Sequence, residues 1–189
     1  MDVIFTKTTT RRYDAQVERD GVVLSVQTFD RPARLPHDIA HVIVENGLML
    51  KYGFWGLIAA GVLFSNVRVV SGRLRARAAE RSRALLKRAR QYSTEAEILV
   101  SVILEIAELG LEDWQQIESR LKRVWQPAKS QRSPLHRLEV MNVCCQLRDA
   151  ERDWKALPIG GTLRFVYLLP SRQQADNIHQ GSRQGSTPY

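Results

Sequence analysis

Cysteine is almost missing from this chain: Cys144 and Cys145 are the only two, and they are neighbours. Adjacent side chains on a helix point apart, so the pair is unsuited to a disulfide and no other cysteine can partner either one. Disulfide-stapled scaffolds and cysteine-rich zinc modules are excluded, and a reducing, cytoplasmic setting is expected. Apolar runs of membrane length are lacking too. Tyr52 to Val67 carries no charge, but it falls short of the roughly 20 apolar residues of a spanning helix and holds Gly53, Gly56 and Gly61. It is expected to be a buried core segment. No secretory leader is expected, because Met1-Asp2-Val3-Ile4 has no basic start and Lys7, Arg11 and Arg12 interrupt any apolar core. A Gly-x-Ser-x-Gly elbow, a phosphate-binding glycine loop and a dinucleotide fingerprint are absent as well.

What is present suits one globular domain. The 189 residues are 44% hydrophobic and 25% charged, enough to bury a core. A net charge of +8 makes anionic partners plausible on electrostatic grounds. The domain is expected to span residues 1–170. Residues 171–189, rich in Gln, Ser, Gly and Arg, are expected to form a disordered polar tail.

The pattern predicts an α+β fold. Val3 to Thr6 and the loosely alternating Arg11 to Glu18 read as strands. Asp20-Gly21 then supplies a tight hairpin turn before Val22 to Phe29. Pro36 opens a helix to about Leu50, and Phe54 to Phe64 forms a second. Alanines and leucines make the basic stretch from Arg68 to Arg90 helical in propensity. Thr94 and Glu97 have capping-box spacing and start a further helix, ended by Gly110. A short helix carries Trp114, Ile117, Leu121 and Val124. Gln126 to Ser133 reads as a polar linker, and Ser133-Pro134 caps a last helix to Leu157 on which Leu138, Met141, Cys145 and Arg148 share a face. Thr162 to Leu168 has strand propensity and returns to a small N-terminal antiparallel sheet packed with four to five helices.

Two of the four histidines and two carboxylates fall within one apolar helix: His37, Asp38, His41 and Glu45. His37, His41 and Glu45 follow at four-residue spacing along one strip, with Asp38 beside them. Imidazole nitrogen and carboxylate oxygen are ligands for zinc or another divalent metal. On this reading His37, His41 and Glu45 are metal ligands and Asp38 is an orienter or base, so Asp38 and Glu45 are the candidate catalytic residues of a hydrolase-like or small-ligand site. Two other readings stand beside it: a structural network, with Asp38 favouring the helix start and His41 bonded to Glu45, and a metal-free acid–base pair of those two. Candidates for a distant ligand are His136, Glu105 and Glu108.

His37-Asp38-x-x-His41 resembles the His-Glu-x-x-His helix of zinc metalloproteases, over five residues and with Asp in place of Glu. Residues 35–61 also resemble an uncharacterised bacterial protein family, in which a Leu-Pro-His-Asp start, a second His and a Glu precede Gly-Phe-Trp-Gly. That resemblance implies no function. It implies that the two elements form one unit, with Phe54 and Trp55 packed near the polar cluster.

A second hypothesis rests on charge. Between Arg68 and Arg90 nine Lys or Arg stand against the single acid Glu80. Arg73, Arg77, Arg81 and Lys87 or Arg88 recur near one helical face, a density that suits phosphate. This would make the protein a non-enzymatic basic module for nucleic acid or an acidic protein. The competing expectation is a solvated face compensated by the acids from Glu95 to Glu118.

Overall fold

The computed structural model describes residues 1–28, 34–125 and 135–168. These form five strands and five helices in an α+β arrangement. The strands are β1 (Asp2–Lys7), β2 (Tyr13–Arg19), β3 (Val22–Val26), β4 (Val67–Ser71) and β5 (Thr162–Val166), in the all-antiparallel order β4-β3-β2-β1-β5. The helices are α1 (His37–Gly47), α2 (Phe54–Ala60), α3 (Ala78–Glu108), α4 (Trp114–Trp125) and α5 (Arg137–Ala156).

The β2–β3 turn follows from its two residues. Asp20 and Gly21 both have positive φ, 53° and 72°, and Arg19 pairs with Val22 across the turn. This is the backbone of a tight primed turn, which Asp-Gly tolerates. Period-two alternation then sorts the side chains. Val3, Phe5, Tyr13, Ala15, Val17, Val22, Leu24 and Val26 are buried on one face, while Asp14, Gln16 and Glu18 remain exposed on the other.

The helices pack on the apolar face, with α1 inside the helical layer. Every residue from Ile39 to Glu45 is buried, as a helix enclosed on all sides requires. Lys7 ties the sheet to α5 by donating to the carbonyls of Trp154 and Leu157 at the helix end, at 3.0 and 2.9 Å. β5 returns beside β1, and Tyr167 just beyond it is buried with its hydroxyl donating to the Leu50 carbonyl.

Three expectations need correction. The first residues of the basic stretch are not helical: Val67–Ser71 pairs with β3 as an edge strand, because its valines add to a ladder. No helix begins at Thr94 either. The 31 residues of α3 run through it, and the Thr94 hydroxyl bonds the Arg90 carbonyl at 3.1 Å instead of capping. On α5 the buried face carries Val140, Val143, Cys144 and Leu147, leaving Leu138 and Cys145 exposed. The linker around Gln126 to Ser133, the Ser133-Pro134 cap and the tail from Ser171 lie outside the described residues. No described helix is long and apolar enough to cross a membrane.

Candidate metal centre

His37 and His41 stand one turn apart at the start of α1, with ring centroids 4.7 Å apart and planes at 77°. Both present Nε2 to a residue from the facing helix, Glu97 of α3. One Glu97 oxygen lies 3.0 Å from His41 Nε2 and the other 3.8 Å from His37 Nε2. One ligand atom from each of the three residues can be chosen so that all lie within 4.8 Å of one another. The site is graded in exposure: the side chain of His41 is 4% exposed, that of His37 26% and that of Glu97 57%. One side is therefore fixed in the core and the other meets solvent.

Behind His41 lies Glu45, completely buried. A buried carboxylate needs its lone pairs occupied. His41 Nδ1 lies 2.9 Å from Oε1, and the backbone N–H groups of Trp55 and Gly56 donate to Oε1 and Oε2 at 3.3 and 2.9 Å. Those N–H groups belong to the first turn of α2, so Glu45 caps that helix from a different element, at its positive end. The glycines of Gly53-Phe54-Trp55-Gly56 make this possible. A β-carbon on Gly53 would overlap the Glu45 carboxylate, and one on Gly56 would overlap the Lys51 carbonyl and crowd the Tyr167 hydroxyl. Phe54 sets its ring edge-on to His41 at 6.2 Å, and Trp55 reaches from the core to donate to the Asp38 carbonyl at 2.8 Å.

Burial on its own would lower the pKa of His41. The hydrogen bonds and negative charges of Glu45 and Glu97 outweigh it and push the value up to about 9. The imidazole thus sits between two acceptors, one deep and one at the surface. Tyr167 moves in the direction expected of a desolvated phenol near the Glu45 charge: its pKa is raised, by burial first and by Glu45 second.

The structure brings His37 and His41 together as the helical spacing predicts, but separates the two carboxylates assigned to them. Glu45 is engaged on the Nδ1 side of His41, away from the Nε2 atoms. The Asp38 carboxylate accepts from the Tyr13 hydroxyl at 2.7 Å, tying α1 to β2. The carboxylate that faces both histidines is Glu97, assigned from sequence to a capping box. Its only sequence signal was an acid on a helix, since no spacing rule links α1 to α3. The other distant candidates lie elsewhere: His136 caps α5 with Glu139, Glu108 pairs with Arg34 at 3.5 Å, and Glu105 is exposed.

The basic residues divide into separate groups. Arg73 precedes α3, Arg77 is its N-cap in left-handed conformation (φ 55°), and Arg81 lies in its second turn. Arg73 and Arg81 line one cleft, while Lys87 and Arg88 line a different hollow against α4 with Val124. The expected compensation by acids from Glu95 to Glu118 does not reach the basic end. Those of the acids that lie on α3 occupy its other half, and among the described residues none forms an ion pair with Arg73 to Arg90.

Comparison with family models, with curated proteins and with solved structures finds no match to this chain.

Proposed function

We propose that His37, His41 and Glu97 bind a divalent transition metal, zinc first, and that the chain is a metal-dependent enzyme of the hydrolytic class. The observation that carries this reading is the convergence of two imidazole Nε2 atoms and one carboxylate on one point. Four ligands at zinc–nitrogen distance stand about 3.4 Å apart along a tetrahedral edge. One Glu97 oxygen stands 3.0 Å from His41 Nε2 and the other 3.8 Å from His37 Nε2, and one ligand atom from each residue lies within 4.8 Å of the others, so a rotation of the exposed Glu97 side chain would draw the set to that spacing. Borderline nitrogen and oxygen donors suit zinc, and three protein ligands leave a position open. The exposed flank of Glu97 and His37 gives that position access to solvent.

Glu45 has the part of an orienting group. By accepting from His41 Nδ1–H it fixes the tautomer whose Nε2 carries a free lone pair, and it raises the basicity of that nitrogen. It does not meet substrate. Asp38, held by Tyr13, keeps the first turn of α1 against the sheet. A bound divalent ion would supply Lewis-acid polarisation of a water or carbonyl oxygen. The chain supplies the anchored His41, the exposed partner Glu97 and the aromatic cover of Phe54. Two free thiols, Cys144 buried and Cys145 exposed, support a reducing compartment and a cytoplasmic location.

Elemental analysis of tag-free protein tests the proposal, with wild type beside His41→Ala and Glu97→Gln. Near-stoichiometric zinc in the wild type, lost in both variants, is expected. No metal in the wild type after reloading with zinc would overturn it, leaving Glu45, His41 and Glu97 as a structural ion triad.

A further inference from the structure

Away from the histidines, the connection between β4 and α3 closes a second concavity. This cleft of about 300 Å³ lies between the β2–β3 hairpin, the end of α2 and the first turns of α3. Its lining contains four arginines, Arg19, Arg73, Arg75 and Arg81, against one acid, Asp20. The four come from separate parts of the chain: Arg19 from β2, Arg73 and Arg75 from the β4–α3 connection, Arg81 from α3. Folding has therefore concentrated cations that sequence spacing alone would not gather.

Little in the fold neutralises them. Arg75 pairs with Asp20 at 3.4 Å, both exposed, an arrangement worth little in water. Arg19 is half-buried and donates to the Ile58 carbonyl at the end of α2. Burial, the largest cause, lowers its pKa, so its cation sits in an environment that an anion would improve. Among the described residues Arg73 and Arg81 have no ion-pair partner. At the start of α3 the N-cap Arg77 and the nearby Arg81 stand with only Glu80 in the first turn. Cations at a helix N-terminus oppose the helix dipole. An anion in the cleft relieves that repulsion.

Size and geometry narrow the ligand. The volume is at the lower end for small-molecule sites, and the planar fork of guanidinium matches phosphate oxygens in pairs. The apolar part of the lining, Val22 and Leu85 among it, leaves room for a body attached to the charge. We propose that this cleft binds the phosphate group of a small phosphorylated molecule, with Arg73 and Arg81 as principal contacts and Arg19 and Arg75 flanking them. The proposal is independent of the metal centre, since no residue is shared between the two.

Calorimetric titration of the full chain with inorganic phosphate, pyrophosphate and adenosine monophosphate, at low and high salt, tests it. The comparison is an Arg73→Ala/Arg81→Ala variant beside Arg123→Ala/Arg137→Ala, which removes the same charge elsewhere. The expected result is saturable, salt-sensitive binding of at least one ligand, weakened roughly tenfold or more in the cleft variant and unchanged in the control. Preference for the nucleotide would support the phosphorylated molecule, and binding of inorganic phosphate alone would overturn it in favour of the free anion. No saturable binding of any of the three, or equal weakening in both variants, would overturn the proposal. So would a single-stranded oligonucleotide whose affinity grows with length and ignores the cleft variant, which would mark an extended nucleic-acid surface. Circular dichroism and zinc content of the same samples separate loss of the cleft from loss of fold or metal.

Discussion

Replacing Glu45 by Gln is the most revealing single change, because it keeps the shape of the side chain and removes its charge. The carboxylate takes part in three hydrogen bonds, with His41 and with the N–H groups of Trp55 and Gly56. A glutamine has one acceptor oxygen, so its amide N–H₂ must face a donor on at least one side. Hydrogen bonds to a charged group contribute about 1.5–3 kcal/mol each. Breaking a buried charged pair by altering one partner typically costs about 3–5 kcal/mol. The latter range is the expected loss for Glu45→Gln, since part of the bonding survives. In urea, with a slope of about 2–3 kcal/mol/M, that lowers the midpoint by about 1–2.5 M. Asp14→Asn on the exposed sheet face is the control, expected to change stability by less than about 0.5 kcal/mol. A Glu45→Gln loss below about 1 kcal/mol at unchanged slope would refute the assignment of this carboxylate as the joint between α1, His41 and α2.

Three further outcomes are expected. In metal-free protein the folded pKa of His41, about 9, stands above its ordinary value. Its stabilising contribution is thus complete below about pH 6.5 and disappears as pH rises through the folded value. Urea midpoints of the wild type should fall between pH 7 and 10 by more than those of His41→Leu, and parallel curves would contradict the charge state. Thr94→Ala should leave stability unchanged or raise it by a few tenths of a kcal/mol, as for a helix interior. A loss near 1 kcal/mol would instead indicate a cap and two helices. Titration with a thiol reagent at pH 8 should modify Cys145 quickly and Cys144 only after unfolding, since Cys144 is buried and burial pushes its pKa up to about 11. Rapid reaction of both would contradict the packing of α5.

The fold was legible where one local rule dominates. Asp20-Gly21 could hardly be anything but a tight turn, and Gly110 and Pro158 stop helices close to where they stand, whereas α1 ends at Gly47, short of the expected Leu50. Where charge and β-branching compete the reading failed: Val67 to Ser71 joined a ladder although arginines follow it. Thr94 looked like a cap because its alternative, a bond to the carbonyl one turn earlier within a continuous helix, leaves no mark on sequence. On the site, helical spacing placed His37 and His41 on one strip, but it could not tell which nitrogen faced which carboxylate. Glu45 occupies the same strip yet points to the interior, because the N-terminus of α2 offers two N–H groups there and Gly53 and Gly56 leave the space. Glu97 reaches the histidines through the packing of α3 on α1, a long-range contact that no motif encodes. The arginines of the cleft were visible as a basic run. Their association with Arg19 depends on the hairpin, the end of α2 and the β4–α3 connection meeting in three dimensions.

Anomalous scattering at the zinc edge, from crystals grown with zinc, would locate the ligand atoms themselves. One strong peak is expected within bonding distance of His37 Nε2, His41 Nε2 and a Glu97 oxygen, with Glu45 still on the far side of His41. A peak elsewhere, or none at these atoms, would contradict the proposed metal centre.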